Sequence, residues 1–410
     1  MTLFLLCLPW ILVGLYVALF FHDPPSLPEV EEQAEDASVS RSEAEAQPEA
    51  LPFVSVIVPA RNEEANIGRC ISSLLASRYP AFEILVVDDE SHDRTREIVQ
   101  ELARESGESV CFIEGEPLPP GWLGKPWACW QGAEQARGDF LLFTDADTEH
   151  GPELLAQAVR GREEAKADVL TIIGLQVLGS FWERLIQPQF FMLLAGRFPL
   201  AGTPRKKHQW RHAIANGQYL LFERSVYEAV GGHQAVAGDV VEDMRLAHIL
   251  VRGGWRLVVR GTEALSTRMY RSLGDLVEGW SKNVATAALQ SSSAWFQPII
   301  LPLSAMVAVT LWLMPPAVLL LALAAGGPAM ALQWGALTTG VNVLIWARAS
   351  MLLRSSPLFG ILYPLGCIVG YVIFMKSWLQ GPRIKWKARK YEIPEEVRKG
   401  SSARAEDTDA

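Results

Sequence analysis

The sequence predicts an α/β fold with a mostly parallel sheet, accompanied by transmembrane segments at both ends of the chain. Residues 53–260 alternate short apolar runs with stretches of helical apolar spacing, which is the pattern of a layered α/β sheet. Half of the chain is hydrophobic (50%), and its long apolar runs lie outside that region. The formal net charge of −9 disfavours nucleic acid as a partner.

The first 50 residues are predicted to be an anchor followed by a linker. Residues 3–21 are apolar and uncharged, with no basic residues before them and no small-residue cleavage site after them, so we expect an uncleaved anchor over 1–22 rather than a signal peptide. Residues 23–49 contain nine acidic residues and one Arg. Such a composition buries too little apolar surface to fold, so 23–50 is predicted to be a solvated linker.

The soluble part, residues 51–262, is predicted to begin with a strand over 54–58. Asn62 is the candidate N-cap of the helix that follows. Further strands are predicted at 84–87, at 110–113 and up to Asp145, with helices near 93–105 and 126–137. In such sheets ligands bind beyond the carboxyl ends of the strands. The carboxylates predicted to lie there are Asp88, Asp89, Asp145 and Asp147.

Two of these carboxylates, Asp145 and Asp147, directly follow the apolar run 140–143. In extended chain, residues at i and i+2 project to the same side. Together they can hold a hard divalent cation, and the cation can in turn bind a diphosphate. A plain turn after a strand is the alternative, because Asp favours turns.

Four motifs stand in order along this region. They are Val-Ile-Val-Pro-Ala-Arg-Asn-Glu (56–63), Leu-Val-Val-Asp-Asp-Glu-Ser (85–91), Thr-Asp-Ala-Asp (144–147) and Gly-Asp-Val-Val-Glu-Asp-Met-Arg (238–245). The set resembles family 2 glycosyltransferases, which have the GT-A fold. Flanking segments at 121–127 and from 268 to 283 look closer still to bacterial hopene-associated glycosyltransferases, with carotenoid glycosyltransferases as near relatives.

The resemblance implies roles for the matching positions in donor and metal binding. The nucleoside would be held by Asp88 or Asp89 and by the turn residues Pro59, Ala60, Arg61 and Glu63. Asp145 would face the ribose and the metal, Asp147 would ligate the metal, which we expect to be Mg²⁺ or Mn²⁺, and Lys125 would meet the diphosphate.

The Glu-Asp pair of the fourth motif is the candidate catalytic group. The resemblance implies that Asp243, after Glu242, is the general base. By itself, an acidic pair is typical of the first turn of a helix, where acids favour the N-terminal dipole.

The sequence departs from the family at two places. Glu90 stands where Gly is common, so we expect that φ there need not be positive. The Q-x-x-R-W sequence of processive synthases is absent, and Trp280 is preceded by Gly279. This favours transfer of a single sugar over polymer synthesis.

The C-terminal part is predicted to be a connector, a membrane region and a tail. The connector spans 263–297, the membrane region 298–380 holds apolar runs at 298–325, 329–347 and 357–375, and the tail spans 381–410. Interfacial aromatic residues are expected at Trp280, Trp295 and Phe296. Residues 180–200 are predicted either to lie on the bilayer or to form a core helix.

Membrane topology is predicted from charge. The tail is basic from 383 to 390, so the positive-inside rule places it in the cytosol, where sugar nucleotides are found. Three full spans after residue 297 would export the tail, so a re-entrant hairpin broken at Pro315–Pro316 is considered for the first run.

The expected function is that of a membrane-bound, inverting, metal-dependent glycosyltransferase. It would transfer one sugar from a nucleotide-diphosphate sugar to a hopanoid-like or carotenoid-like membrane lipid. We expect a multi-pass protein of the bacterial inner membrane with a cytoplasmic catalytic domain. The alternatives are transfer to polyprenyl phosphate, with a basic patch at 205–212 binding the phosphate, a non-catalytic sugar-nucleotide-binding protein, and a nucleotidyltransferase.

Overall fold

The computed structural model describes residues 2–29, 51–198, 206–381, 383–386 and 389–392. Its centre is one eight-stranded sheet. The strands are β1 (Val54–Ala60), β2 (Phe82–Asp88), β3 (Val110–Glu114), β4 (Phe140–Phe143), β5 (Thr148–His150), β6 (Val169–Gln176), β7 (Leu220–Glu223) and β8 (Leu257–Thr267). Their order across the sheet is β3-β2-β1-β4-β7-β6-β8-β5.

The sheet is mostly parallel, as predicted. β1 pairs in parallel with β2 and β4, β2 with β3, and β6 with β8, whereas β7 runs antiparallel to both of its neighbours and β5 antiparallel to β8. The strands predicted around 54–58, 84–87 and 110–113 are present. β8 continues beyond residue 262, the predicted end of the soluble part, and its last residues pair with β5.

Nine helices accompany the sheet in the described chain up to residue 290. They are α1 (Thr2–Phe20), α2 (Ile67–Leu75), α3 (Thr95–Ser106), α4 (Gly124–Gln135), α5 (Leu154–Glu164), α6 (Phe181–Arg197), α7 (Arg224–Ala229), α8 (Glu242–Gly253) and α9 (Leu273–Gln290). Helices α2, α3 and α5 cover one face of the sheet, and α4 and α8 cover the other. The strands are therefore buried on both faces, which explains why they read as continuous apolar runs.

The structure corrects three local predictions in and before this domain. Asn62 is not an N-cap: α2 begins at Ile67, and the Asn62 side chain instead accepts a hydrogen bond from His92 N–H (2.9 Å). Glu90 does adopt a positive φ of 53°, because the turn after β2 requires it whatever the residue. The first linker residues are packed rather than solvated, since Leu27 is buried in the core cluster. Residues 30–50 of the predicted linker lie outside the described residues.

The C-terminal part contains four more α-helices and a hairpin. They are α10 (Gln297–Val307), α11 (Met314–Ala325), α12 (Ala329–Leu352), α13 (Tyr363–Gln380), β9 (Arg383–Trp386) and β10 (Arg389–Glu392). Within the described chain, three helical stretches are long and apolar enough to cross a membrane: Thr2–Leu19, Gln297–Ala325 and Pro357–Gln380. The run predicted at 329–347 lies in α12, which is not among the three.

The re-entrant hairpin considered at Pro315–Pro316 is absent. Gln297–Ala325 is one helical stretch in which a π-helical segment, Ala308–Leu313, joins α10 to α11. A proline lacks the N–H that an α-helix needs and crowds the preceding turn, and a π-helical segment accommodates this without ending the helix.

Two aromatic predictions resolve in favour of the core. In α6, Leu185 and Phe190 are buried against α9 and α13, so much of this helix is interior, although Phe181 and Leu193 stay exposed. Trp280 is only 6% exposed and stacks on Phe190, with 4.3 Å between the ring centroids, so it is not an interfacial residue. Trp295, which is 74% exposed, remains available for that role.

Candidate active site

A cavity of about 250 Å³ opens at the carboxyl ends of β1, β2 and β4, between α4, α8 and α9. Of the predicted site residues, those that line it are Pro59, Ala60, Arg61, Glu63, Asp89, Lys125, Asp145, Asp147, Glu242 and Asp243. Residues separated by more than 180 positions along the chain thus meet in one place.

Asp88 is the predicted site residue that does not line this cavity. It is the last residue of β2, and its buried carboxylate points toward α3, where Arg96 Nη2 lies 3.4 Å from Oδ2. Neighbouring residues of extended chain face opposite sides, so Asp89 points into the cavity. Of the two aspartates considered for the nucleoside, the geometry therefore favours Asp89.

The two aspartates of the Asp-x-Asp motif project from a turn between β4 and β5 rather than from the strand itself. Buried hydroxyl groups hold this turn in place. Thr144 Oγ1 donates to Gln218 O (2.7 Å), and Thr148 Oγ1 donates to Asp145 O (2.7 Å). The motif is thus a turn, as the plain alternative had it, yet both carboxylates reach the cavity.

Lys125, in the first turn of α4, joins the metal motif to the Glu-Asp pair. Its Nζ lies 2.7 Å from Asp145 Oδ1 and 2.8 Å from Glu242 Oε1. Burial by itself would lower the pKa of Lys125, but Asp145 and Glu242 outweigh it and hold the pKa well above its usual value. A permanent cation therefore stands at the centre of the cavity.

Glu242 and Asp243 form the first turn of α8 but have different surroundings. Burial would raise the pKa of Glu242, yet the ion pair with Lys125 lowers it overall. Burial and the neighbouring Glu242 raise the pKa of Asp243 to about 6. Asp243 is held by Gly217 N–H, which donates to Oδ2 (2.9 Å), and by its own neighbour Met244 N–H, which donates to Oδ1 (2.7 Å). A fixed carboxylate with a pKa near neutrality suits a general base.

The sequence did not single out several residues of the opposite wall. Lys282 and Asn283 of α9 line the cavity, as do Met269 and Tyr270 before that helix and Tyr391 of β10. Burial lowers the pKa of Lys282 to about 8 despite the nearby Glu242. The sequence signal for this wall was the segment from 268 to 283, which is part of the family resemblance but had no role assigned to its residues.

The donor set for a metal consists of two carboxylates. Among the described residues no group of three or more His, Cys, Asp and Glu side chains is placed to hold a metal ion. Mg²⁺ sites in enzymes that handle phosphates commonly use one or two carboxylates and complete the shell with phosphate oxygens and water. Asp145 and Asp147, facing one cavity, fit that requirement.

The fold is the GT-A architecture of glycosyltransferases. Residues 55–231 match the model of the family described as glycosyl transferase family 2. A mannosyltransferase from Pyrobaculum calidifontis, solved in complex with GDP-Man and Mn²⁺, shares the fold with a TM-score of 0.52 and 18% identity, over 92% of this chain and 98% of that one.

Over residues 55–231 the chain is similar to the family 2 glycosyltransferases, and its curated relatives include diaponeurosporenoate glycosyltransferases. It is 30% identical over 246 residues to the 4,4'-diaponeurosporenoate glycosyltransferase of Staphylococcus haemolyticus, covering 58% of this chain and 63% of that protein. It is 24% identical over 358 residues to the protein of the same name from Staphylococcus aureus, covering 84% of this chain and 89% of that one.

Proposed function

We propose that the protein transfers one sugar from a nucleotide-diphosphate sugar to the hydroxyl or carboxyl oxygen of a carotenoid-like or hopanoid-like membrane lipid, with inversion at the anomeric carbon. The observation that carries this proposal is the meeting of Lys125, the Asp145–Asp147 pair and the Glu242–Asp243 pair in one cavity beside the membrane helices. The names of the curated relatives support the class of acceptor.

In this proposal each charged group has its own task. Asp89 and Arg61 bind the nucleoside at one end of the cavity, while Lys125 and Lys282 face the diphosphate. Asp243 takes the proton from an acceptor hydroxyl as its oxygen bonds to the anomeric carbon; an acceptor carboxylate arrives without a proton and needs only orientation. The bond from the anomeric carbon to the diphosphate breaks, and its electron pair leaves with the nucleoside diphosphate.

A divalent ion would be held by Asp147 and Asp145. When bound, Mg²⁺ or Mn²⁺ supplies charge that offsets the charge of the departing diphosphate. Lys125 forms an ion pair with Asp145 and so positions that carboxylate.

The acceptor is proposed to enter from the membrane side of the cavity. α9, which contributes Lys282 and Asn283 to the lining, packs through Trp280 against α6 and through its cluster against Ile373 of α13. A lipid leaving the bilayer beside these helices reaches the cavity without crossing water. Transfer to polyprenyl phosphate gains no support, since none of residues 206–212 lines the cavity.

We also propose a cytoplasmic catalytic domain on a multi-pass protein of the bacterial inner membrane. The hairpin that follows α13 contacts the soluble domain, so the described tail and the catalytic site lie on one side. The two candidate spans after residue 290, Gln297–Ala325 and Pro357–Gln380, would return the chain to the side where it started.

The test supplies labelled sugar nucleotides to membranes that contain the protein and a carotenoid or hopanoid acceptor. We expect label in the organic phase that resists mild acid, as a glycoside or ester of the lipid does and a polyprenyl sugar phosphate does not. The Asp243→Asn variant is the matched control for enzymatic transfer to a hydroxyl. Label confined to free sugar or to long polymer would refute the proposal.

A further inference from the structure

A hairpin of the C-terminal tail lies over the nucleoside end of the cavity. β9 and β10 pair antiparallel, with Arg389 opposite Trp386. Nη1 of Arg389 donates to both carboxylate oxygens of Asp89, at 3.1 and 3.0 Å, and Nη2 of the same guanidinium donates to Glu90. Tyr391 lines the cavity beside Asp89. Arg389 and Asp89, which are 300 positions apart in sequence, are therefore joined by an ion pair at this end of the cavity.

The surrounding chain accommodates this contact closely. A Cβ at Gly124, the first residue of α4, would meet the Asp89 carboxylate first and would lie 2.9 Å from Arg389 Nη1 and 3.0 Å from Tyr391 Oη, so a larger residue there would force these side chains to shift. Tyr391 also packs against Val240 and Leu123, and Val240 immediately precedes the turn that carries the catalytic acids. The hairpin is thus seated on the site through three separate elements.

We propose that this hairpin is a wall of the donor site, in which Arg389 is a positioning residue for Asp89 and Tyr391 covers the bound nucleoside. The ligand is a nucleoside diphosphate whose base donates an N–H to Asp89. This inference rests on the proposed function of the cavity as a donor site.

The charges around Asp89 give the physical reason. Asp89 is 5% exposed, and an ionised carboxylate that is fixed in direction is the stronger acceptor for a base N–H. The charged or titratable groups that face it are Arg61 after β1 (Nη1 to Oδ2, 3.9 Å), the adjacent Glu90, and Arg389 with Tyr391 from the hairpin. Arg389 is the nearer cation.

Without Arg389, protonation of Asp89 becomes easier. Burial already raises the pKa of this carboxyl, and Arg389 and Arg61 counteract the rise. Removal of Arg389 leaves only the more distant guanidinium of Arg61, so the pKa of Asp89 rises further.

The opposite role, in which the hairpin blocks the site, makes a prediction of opposite sign. If Arg389 occupied Asp89 in competition with the base, loss of the guanidinium would tighten nucleotide binding. If Arg389 positions Asp89, its loss weakens binding.

Binding of uridine diphosphate and guanosine diphosphate to the full-length protein in detergent, with Mg²⁺, is to be measured by titration calorimetry. We expect Arg389→Gln to weaken binding of the preferred nucleotide by about 10-fold or more, as for loss of a hydrogen bond to a buried charge. Arg389→Lys should retain part of the affinity. Arg160→Gln, an exposed residue of α5 whose pair with Glu164 is on the surface, is the charge-matched control and should bind normally.

Two readouts separate positioning from a merely structural role. The weakening should grow as the pH is lowered, because the ionised Asp89 is the stronger acceptor for the base N–H. In the Asp89→Asn background, Arg389→Gln should have no further effect, since the residue through which it acts is already changed. Equal or tighter binding by Arg389→Gln, or additive effects in the double variant, would overturn the inference. Failure of the unchanged protein to bind either nucleotide would instead overturn the proposed function and, with it, this inference.

Discussion

The two walls of the cavity differ in how the chain builds them. The strand-end wall consists of Arg61, Asp89, Asp145 and Asp147, which lie in the turns that follow buried strands. The C-terminal wall consists of Lys282, Asn283, Arg389 and Tyr391, which come from α9 and from a hairpin beyond the last membrane helix. The first wall follows from local sequence and sheet topology, whereas the second depends on contacts between segments that are far apart in sequence. Substitutions in the two walls should therefore differ in kind as well as in size.

The largest effect is expected from Asp147→Ala in the strand-end wall. In the proposed mechanism this change removes a metal ligand, and with it several kcal/mol of charge stabilisation at the diphosphate, so turnover should fall about 1,000-fold or more. Initial rates across a titration of Mg²⁺ and Mn²⁺ check this. Asp275→Ala, an exposed acid in the first turn of α9, is the control and should keep its activity. Full activity of the unchanged protein in excess chelator would disprove the metal dependence.

Asp243→Asn should be the next largest, with transfer to a hydroxyl acceptor slowed about 10²–10⁴-fold and nucleotide binding retained. Because the pKa of Asp243 is about 6, the base is ionised above that pH. The rate of the unchanged protein should thus fall about tenfold per pH unit below it. A pH–rate profile at saturating donor measures this limb, which should vanish in the variant. A near-normal rate would move the role to Glu242.

Lys282→Gln probes the C-terminal wall and should be milder. Lys125 stands across the same cavity and still faces the diphosphate, so we expect a drop in kcat/KM of about 10–100-fold, less than for a sole electrostatic partner. Lys282→Arg retains the charge and should recover much of the activity. An effect of Lys282→Gln as large as that of Asp147→Ala would show that the two walls contribute equally to the chemistry.

What could not be predicted from the sequence also differs between the two walls. Strand–helix alternation and four short motifs were enough to predict the fold and to bring together the carboxylates that meet at the strand ends. They did not show which of Asp88 and Asp89 faces the cavity. A shift of one residue in the end of β2 would exchange the two side chains. Trp280 was expected at an interface but is a core residue, since an aromatic side chain alone does not reveal which neighbour covers it. The sequence indicated Arg389 only as part of a basic tail, because no local pattern predicts its contact with Asp89, 300 positions away.

The smallest effect is expected where the two walls meet, at Glu90. The φ of 53° at Glu90 strains the backbone of any residue that has a Cβ. Replacement by Gly removes this strain, which amounts to about 1–2 kcal/mol. The gain is offset by the entropy that Gly adds to the unfolded chain, about 0.5–1 kcal/mol, and by the loss of ion pairs to Arg389 and Arg61.

The Glu90 side chain is 45% exposed, so these pairs contribute little, about 0–1 kcal/mol. Glu90→Gly should therefore change the free energy of unfolding by only about 1 kcal/mol in either direction. Glu90→Ala loses the pairs but keeps the strain, so it should be the less stable of the two, and thermal unfolding of both variants in detergent makes the comparison. If Glu90→Gly instead unfolds much more readily than Glu90→Ala, the turn after β2 is not strained, and the family's usual Gly at this position requires another explanation.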